Sequence, residues 1–127
     1  MSRAHAQHLL TALAVHAGSP LTLNDGLCAL VDEHGKELAN IEVPSPGDVV
    51  FVHALIADHP HKRDHQQILQ LNFKPDQLGG CWLALDARNN LRLCAQQDLD
   101  LLDERGFSQW IFGFVERLAS LRANLAS

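Results

Sequence analysis

The C-terminal stretch constrains the fold most. Phe107, Ile111, Phe114, Leu118, Leu121 and Leu125 step by 4, 3, 4, 3 and 4 residues, and Trp110 and Val115 widen the stripe. That spacing predicts a long helix with one apolar face, because residues three and four apart stack on one side of an α-helix. Arg105, Glu116, Arg117 and Arg122 lie off the stripe. Such a helix must lay its apolar face on a second layer. The chain's 127 residues, 46% of them hydrophobic, suffice for one core. A single domain over residues 1–127 is therefore expected.

The second layer reads as a sheet. Leu27–Asp32 and Glu37–Val43 flank the turn residues His34-Gly35, which predicts a hairpin. Pro44-Ser45-Pro46-Gly47 is a loop. Asp48–Asp58 reads as a long strand, with Val49, Phe51, His53, Leu55 and Ala57 on one face and Val50, Val52, Ala54 and Ile56 on the other. Both faces are apolar, so both are expected to be covered. Gly79–Asp86 and Leu91–Gln96 form a second hairpin around Ala87-Arg88-Asn89-Asn90. Before the strands, Ala4, Ala6, Leu9, Leu10, Leu13 and Ala17 predict a helix that Gly18-Ser19-Pro20 stops. Asp64 is placed to start a short helix from His65 to about Asn72, ended by Lys74-Pro75-Asp76. Asp98–Glu104 fits either a strand end or a helical turn. The expected class is α+β, in the order α-β-β-β-α-β-β-α: an antiparallel, strongly twisted sheet of five to six strands with three helices.

Charge narrows the function. Ten Lys and Arg stand against fifteen Asp and Glu, a formal charge of −5. A nucleic-acid binder needs a basic footprint to displace counterions from phosphate, and an anionic membrane surface needs the same. Neither partner is expected. Residues 1–17 hold Arg3 and three histidines and no unbroken apolar core, so they do not read as a secretory leader. The longest apolar run, Val49–Ala57, is interrupted by His53 and is too short to span a bilayer. Cys28, Cys81 and Cys94 each sit in a strand-like segment without close spacing, which suits small buried hydrophobes rather than a disulfide framework.

No arrangement for catalysis stands out. The chain has no G-x-S-x-G, P-loop, G-x-G-x-x-G or H-E-x-x-H pattern. His59, His61 and His65 fall in His-Pro-His-Lys-Arg-Asp-His, a cluster with the donor chemistry for Zn²⁺ or Ni²⁺. Pro60 and the cations Lys62 and Arg63 oppose that use, and no cofactor or metal is expected. His53 has no acid or nucleophile paired with it in sequence and reads as a half-buried sheet residue rather than a general base. Asp98, Asp100, Asp103 and Glu104 lack the glycine and spacing of a calcium loop and read as a solvated face favouring the helix N-terminus after them. Gly79-Gly80 reads as a turn with positive φ. What remains is surplus apolar surface, which points to self-association or a protein partner.

The element order and several motifs resemble the class I chaperones of bacterial type III secretion, the Tir-chaperone type. The residues that carry the likeness are Leu9-Leu10 and Leu13 in the first helix, then Leu27-Cys28-Ala29-Leu30-Val31-Asp32 before the turn at Gly35. Leu69-Gln70-Leu71-Asn72 follows in the second helix, then Gly80-Cys81-Trp82-Leu83-Ala84-Leu85-Asp86 leading to Leu91-Arg92-Leu93. Phe107 and Phe114-Val115 close the pattern in the last helix. The likeness runs from about residue 5 to 122, and the acidic balance agrees with it.

The resemblance implies a cytoplasmic bacterial homodimer without enzymatic activity. It would bind the N-terminal region of a secreted virulence effector in extended form and keep it soluble and secretion-competent without ATP. Strand addition plus pocket filling is the physical mode. The resemblance assigns effector contact to Leu9, Leu13, Leu30, Ile41 and Val43, and the dimer contact to Ile68, Leu69, Leu71 and Trp82. The first helix is richer in alanine and histidine than the family pattern, which implies a shallower effector patch. The alternative is a small α+β enzyme or metal-binding protein using the histidine-rich segment 53–65.

Overall fold

Short runs rich in apolar residues form five strands among the described residues: β1 (Leu27–Val31), β2 (Glu37–Glu42), β3 (Val49–Ala57), β4 (Trp82–Leu85) and β5 (Leu91–Asp98). Four helices accompany them: α1 (Ser2–Ala17), α2 (His65–Leu71), α3 (Pro75–Leu78) and α4 (Glu104–Ala126). The computed structural model describes residues 2–17, 21–44, 48–57, 60 and 64–126. The expected stops and loops at Gly18-Ser19-Pro20 and Ser45-Pro46-Gly47 lie outside the described residues, as do His59, His61, Lys62 and Arg63 and the side chain of Leu125.

The strands make one antiparallel sheet in the order β1-β2-β3-β5-β4. The α+β class and the five-stranded count agree with the sequence reading. Two details differ. Pro75 ends α2 and also opens α3, because its fixed φ suits the first turn of a helix and its missing N–H is needed by nothing there. The fourth strand begins at Trp82 rather than Gly79, since Gly79 and Gly80 take φ of +60° and +86° and leave the extended region. Residues 99–101 form a single 3₁₀ turn, which resolves the segment the sequence left open.

The two sequence-local hairpins close in the same way. Asp32 Oδ1 accepts from the backbone N–H of His34 (2.8 Å) and Lys36 (2.9 Å). Asp86 Oδ1 accepts from Arg88 (2.8 Å) and Asn90 (3.0 Å). Each carboxylate satisfies turn donors that the ladder cannot reach. The residue needing positive φ is Gly35 in one turn and Asn89 in the other.

Helices α1 and α4 cover one face of the sheet. Leu9, Leu10 and Leu13 of α1 meet Leu30, Ile41, Val52 and Leu93 of the sheet and Phe107, Ile111, Phe114 and Leu118 of α4 in one buried cluster. The two helices run parallel. His5 Nε2 bonds the Leu102 carbonyl at 3.1 Å, His8 Nε2 lies 2.6 Å from Glu104, and the His16 ring meets Phe112 edge-on at 6.4 Å. Asp103 starts α4 by accepting from the Gly106 N–H at 2.7 Å. Arg122, off the apolar stripe, donates from Nε and a terminal nitrogen to the Leu55 carbonyl at the bulge in β3. There the irregular strand leaves an acceptor free of the ladder.

Candidate partner-binding surfaces

Because side chains alternate along a strand, the residues between the core positions face away from the helices. Register places Ala29, Asn40, His53, Cys94 and Trp82 in one row across all five strands. Leu55, Arg92 and Ala84 make a parallel row on β3, β5 and β4. No described helix lies over this outer face, although the apolar pattern of β3 suggested cover on both sides. His53, Phe51 and Leu55 are half-buried there rather than core.

A polar chain crosses the middle of the face. His53 Nε2 lies 2.5 Å from Glu42 Oε2. Arg92 NH1 lies 3.3 Å from His53 Nδ1, and Arg92 Nε donates to Asp86 Oδ2 at 2.8 Å. The guanidinium so close to Asp86 holds that carboxyl well below the usual carboxylate range, helped by the turn N–H of Asn90. An aromatic ladder flanks the chain. Phe51 stacks on His53 with centroids 5.1 Å apart and on Trp82 at 5.9 Å. Two hollows open on either side of His53. One, of about 380 Å³, is lined by Phe51, Ala84, Leu85, Arg92 and Cys94. The other, of about 450 Å³, is lined by Asn24, Leu27, Ala29, Asn40 and Glu42.

His53 is held between an acid and a cation, with Cys94 its neighbour across the ladder. Burial pushes the Cys28 and Cys81 thiols up and that of Cys94 to about 11, so none is a ready thiolate. Among the described residues no three histidine, cysteine or carboxylate side chains are grouped to hold a metal. His65 Nε2 is buried without a hydrogen-bond partner among them.

The sites expected from sequence fall in two groups. Leu9, Leu13, Leu30, Ile41 and Val43, expected to meet an effector, are core side chains between 0% and 4% exposed. Their strict periodicity reflects that burial, whereas Val15 and His16 of α1 are exposed. The four residues expected at a dimer contact lie on α2 and β4, which pack together. The Asn72 amide both donates to the Leu83 carbonyl (3.0 Å) and accepts from its N–H (2.7 Å), tying the end of α2 to that edge strand. Leu69 and Trp82 are exposed, Leu71 is half-buried and Ile68 is buried. Phe73, 90% exposed, and Leu85 extend the same apolar region. Sequence reasoning passed over Val15 and Phe112 as surface residues. Their signal is position: each is a large apolar residue off the core stripe of its helix.

A family model, described as the Tir chaperone protein (CesT) family, matches residues 8–122. No curated protein matches the sequence. Several solved structures share the fold. The ExsC–ExsE complex superposes with a TM-score of 0.72 at 14% identity, covering 94% of this chain and 89% of that one. The HopA1–SchA chaperone–effector complex gives 0.62 at 19% identity, covering 91% and 98%. The Yersinia pestis type III secretion chaperone SycH, solved with a fragment of YscM2, gives 0.67 at 15% identity, also covering 91% and 98%. No described helix is long and apolar enough to cross a membrane. With a match over nearly its whole length and the α+β architecture of these structures, the chain belongs to the Tir chaperone protein family.

Proposed function

We propose that this chain is a cytoplasmic type III secretion chaperone that binds the N-terminal region of a secreted effector and keeps it soluble and ready for export. It does so without catalysis or ATP. The observation that carries the reading is the family match over residues 8–122. The exposed apolar surface supports it: a sheet with one bare face and large apolar side chains at Leu27, Leu69, Phe73 and Trp82 offers what a binding protein uses.

The working form is a homodimer. Leu69 and Trp82, with Leu71, Phe73 and Leu85 beside them, form its contact, and Ile68 supports them from the core. The effector is held in extended form. Strand β1 lies at an edge of the sheet, and its outward side chains Leu27, Ala29 and Val31 are exposed. An effector strand added there gains main-chain hydrogen bonds and places alternate side chains on that row. The role of Leu9, Leu13, Leu30, Ile41 and Val43 is to set the shape of the surface above them.

The test is co-expression with the protein encoded by the adjacent gene, affinity purification and light scattering on the eluate. The expected complex contains two copies of this chain and one partner, and disappears when the partner's N-terminal region of roughly 100 residues, enough to wrap a standard interface, is deleted. A monomeric chain that captures no partner overturns the reading.

A further inference from the structure

Helices α2, α3 and α4 together line a recess of about 400 Å³, and none of its lining residues belongs to the sheet. Leu71 and Leu121 give it apolar walls. Arg117, Gln77, Ser120 and Asn124 add a guanidinium, two amides and a hydroxyl, and among the described residues no carboxylate lines it. Arg117 is half-buried and held in place. One terminal nitrogen donates to the Gln77 carbonyl at 2.9 Å. The guanidinium also rests against Gly79, where a Cβ would stand 2.8 Å from the other terminal nitrogen. Glycine leaves that space open, so the backbone at Gly79 helps to fix where the guanidinium lies.

The charge of this group is unanswered. The chain holds fifteen Asp and Glu against ten Lys and Arg, yet Arg117 makes no ion pair among the described residues. Its neighbours three and four residues away on α4 are Gly113, Phe114, Ser120 and Leu121, so the helix itself supplies no acid within reach. Asp76 and Glu116, the carboxylates next in sequence to the lining, do not line the recess. The bond to Gln77 uses one of the five guanidinium N–H donors. The remaining donors, with a hydroxyl one turn along the same helix, suit the two oxygens of a carboxylate. One guanidinium balances one negative charge. A phosphate monoester carries about two, and the second would stand unpaired in a chain already at −5.

We propose that this recess binds a small organic acid, with its single carboxylate on Arg117 and Ser120, the Gln77 and Asn124 amides beside it, and a short apolar body against Leu71 and Leu121. The volume lies within the range of small-molecule sites, and apolar walls with a few convergent polar groups are their usual make-up. The site uses none of the residues assigned to effector contact, so it stands or falls separately from the effector-binding reading. Leu71 is shared with the proposed dimer contact. A carboxylate of a second copy is therefore the competing source of the same chemistry, and the test separates the two.

The test is titration of the isotope-labelled chain with benzoate, benzamide and phenyl phosphate, followed by NMR. An acid of this size should bind with a Kd on the order of 1 mM. Benzoate should shift the Arg117 Nε–H and Ser120 signals along one saturable curve. Benzamide, the same shape without the charge, should bind at least about tenfold more weakly. Ser120→Glu sets a carboxylate one turn from Arg117 and should abolish binding by occupying the guanidinium, whereas the neutral Ser120→Gln should keep most of it. Ser120 is exposed, so an unchanged circular dichroism spectrum and melt will show that both variants are folded. Arg117→Gln should abolish binding from the other partner of the pair. No saturable shift with benzoate, equal affinity for benzamide, tighter binding of phenyl phosphate, or binding indifferent to Ser120→Glu and Arg117→Gln overturns the proposal. So does an Arg117 signal that moves with protein concentration and no longer answers benzoate, which assigns the recess to a carboxylate of a second copy.

Discussion

The two faces of the sheet are built from the same strands and behave as different materials. On the inner face, Leu30, Ile41, Val52 and Leu93 are all under 5% exposed and lie beneath α1 and α4. On the outer face, the residues one step along each strand are Ala29, Asn40, His53 and Cys94, joined by Trp82 on β4. The inner face is sealed by dispersion and desolvation alone. The outer face carries paired charges and stacked rings that stand half in water, so covering it costs little and leaving it bare is tolerable. That difference separates the part that makes the fold from the part that offers contact.

The sharpest break between the faces is in stability. Leu93→Ala on the inner face should cost about 2–5 kcal/mol, because the side chain is fully buried and the rigid layers cannot collapse onto the cavity. Trp82→Ala on the outer face should cost the single chain less, about 1–2.5 kcal/mol, for its stacking on Phe51 and the part of the ring kept from water. Denaturant unfolding of the two variants, at concentrations low enough to suppress association, measures the contrast. Equal losses would show that the outer face is part of the core.

A second break reads association instead. Leu69→Asp with Trp82→Asp should leave a folded chain that sediments as a monomer, since both residues are exposed and each carboxylate would have to be desolvated in a dimer contact. Ile68→Asp is the wrong tool, because Ile68 is buried and the change would destabilise α2 directly. A dimer that survives the double substitution would place the contact elsewhere.

The fold was legible because its periods are clean. The 4-3-4-3-4 stripe of α4 and the long apolar run of β3 marked both layers, and the turn residues His34-Gly35 and Ala87-Arg88-Asn89-Asn90 marked both hairpins. The binding surface was less legible, for a physical reason. Leu9, Leu13, Leu30, Ile41 and Val43 follow the period because they are core, so apolar periodicity alone points inward. Val15, Phe73 and Phe112 break the period, and it is the breaks that mark exposed apolar surface. Asp86 and Arg92 pair within one hairpin, but nothing local in sequence links them to His53 and Glu42, which come beside them only through register across β2, β3 and β5. The same holds for Arg122, whose target is a carbonyl freed by a bulge.

The polar chain of the outer face predicts an acid limb. Asp86 titrates lower in the folded chain than in the unfolded one, so it adds stability above the ordinary carboxylate range, and that contribution fades as pH falls from about 4 downward. Arg92→Met removes the main cause. The variant's stability between pH 5 and 3, on the order of the range where carboxylates titrate, should fall less steeply than that of wild type. Parallel slopes would show that Arg92 does not set the Asp86 titration.

The smallest effect lies at the other end of the pH scale and belongs to Cys94, the one residue of the outer row that is buried. Its thiol is pushed up to about 11 from an ordinary value near 9, chiefly by burial, with Arg92 opposing. The folded chain therefore keeps this proton where the unfolded chain loses it. Stability is full below pH 9 and declines as pH rises toward 11, by about 1 kcal/mol after allowance for solvent screening. Cys94→Ala, which cannot ionise, should flatten that alkaline limb while lowering stability slightly at neutral pH through the lost sulfur contacts. If a partner or second copy covers the outer face, desolvation at Cys94 deepens. The limb in the complex should then move to higher pH than in the free chain, and an unmoved limb would locate the contact away from the Cys94 row.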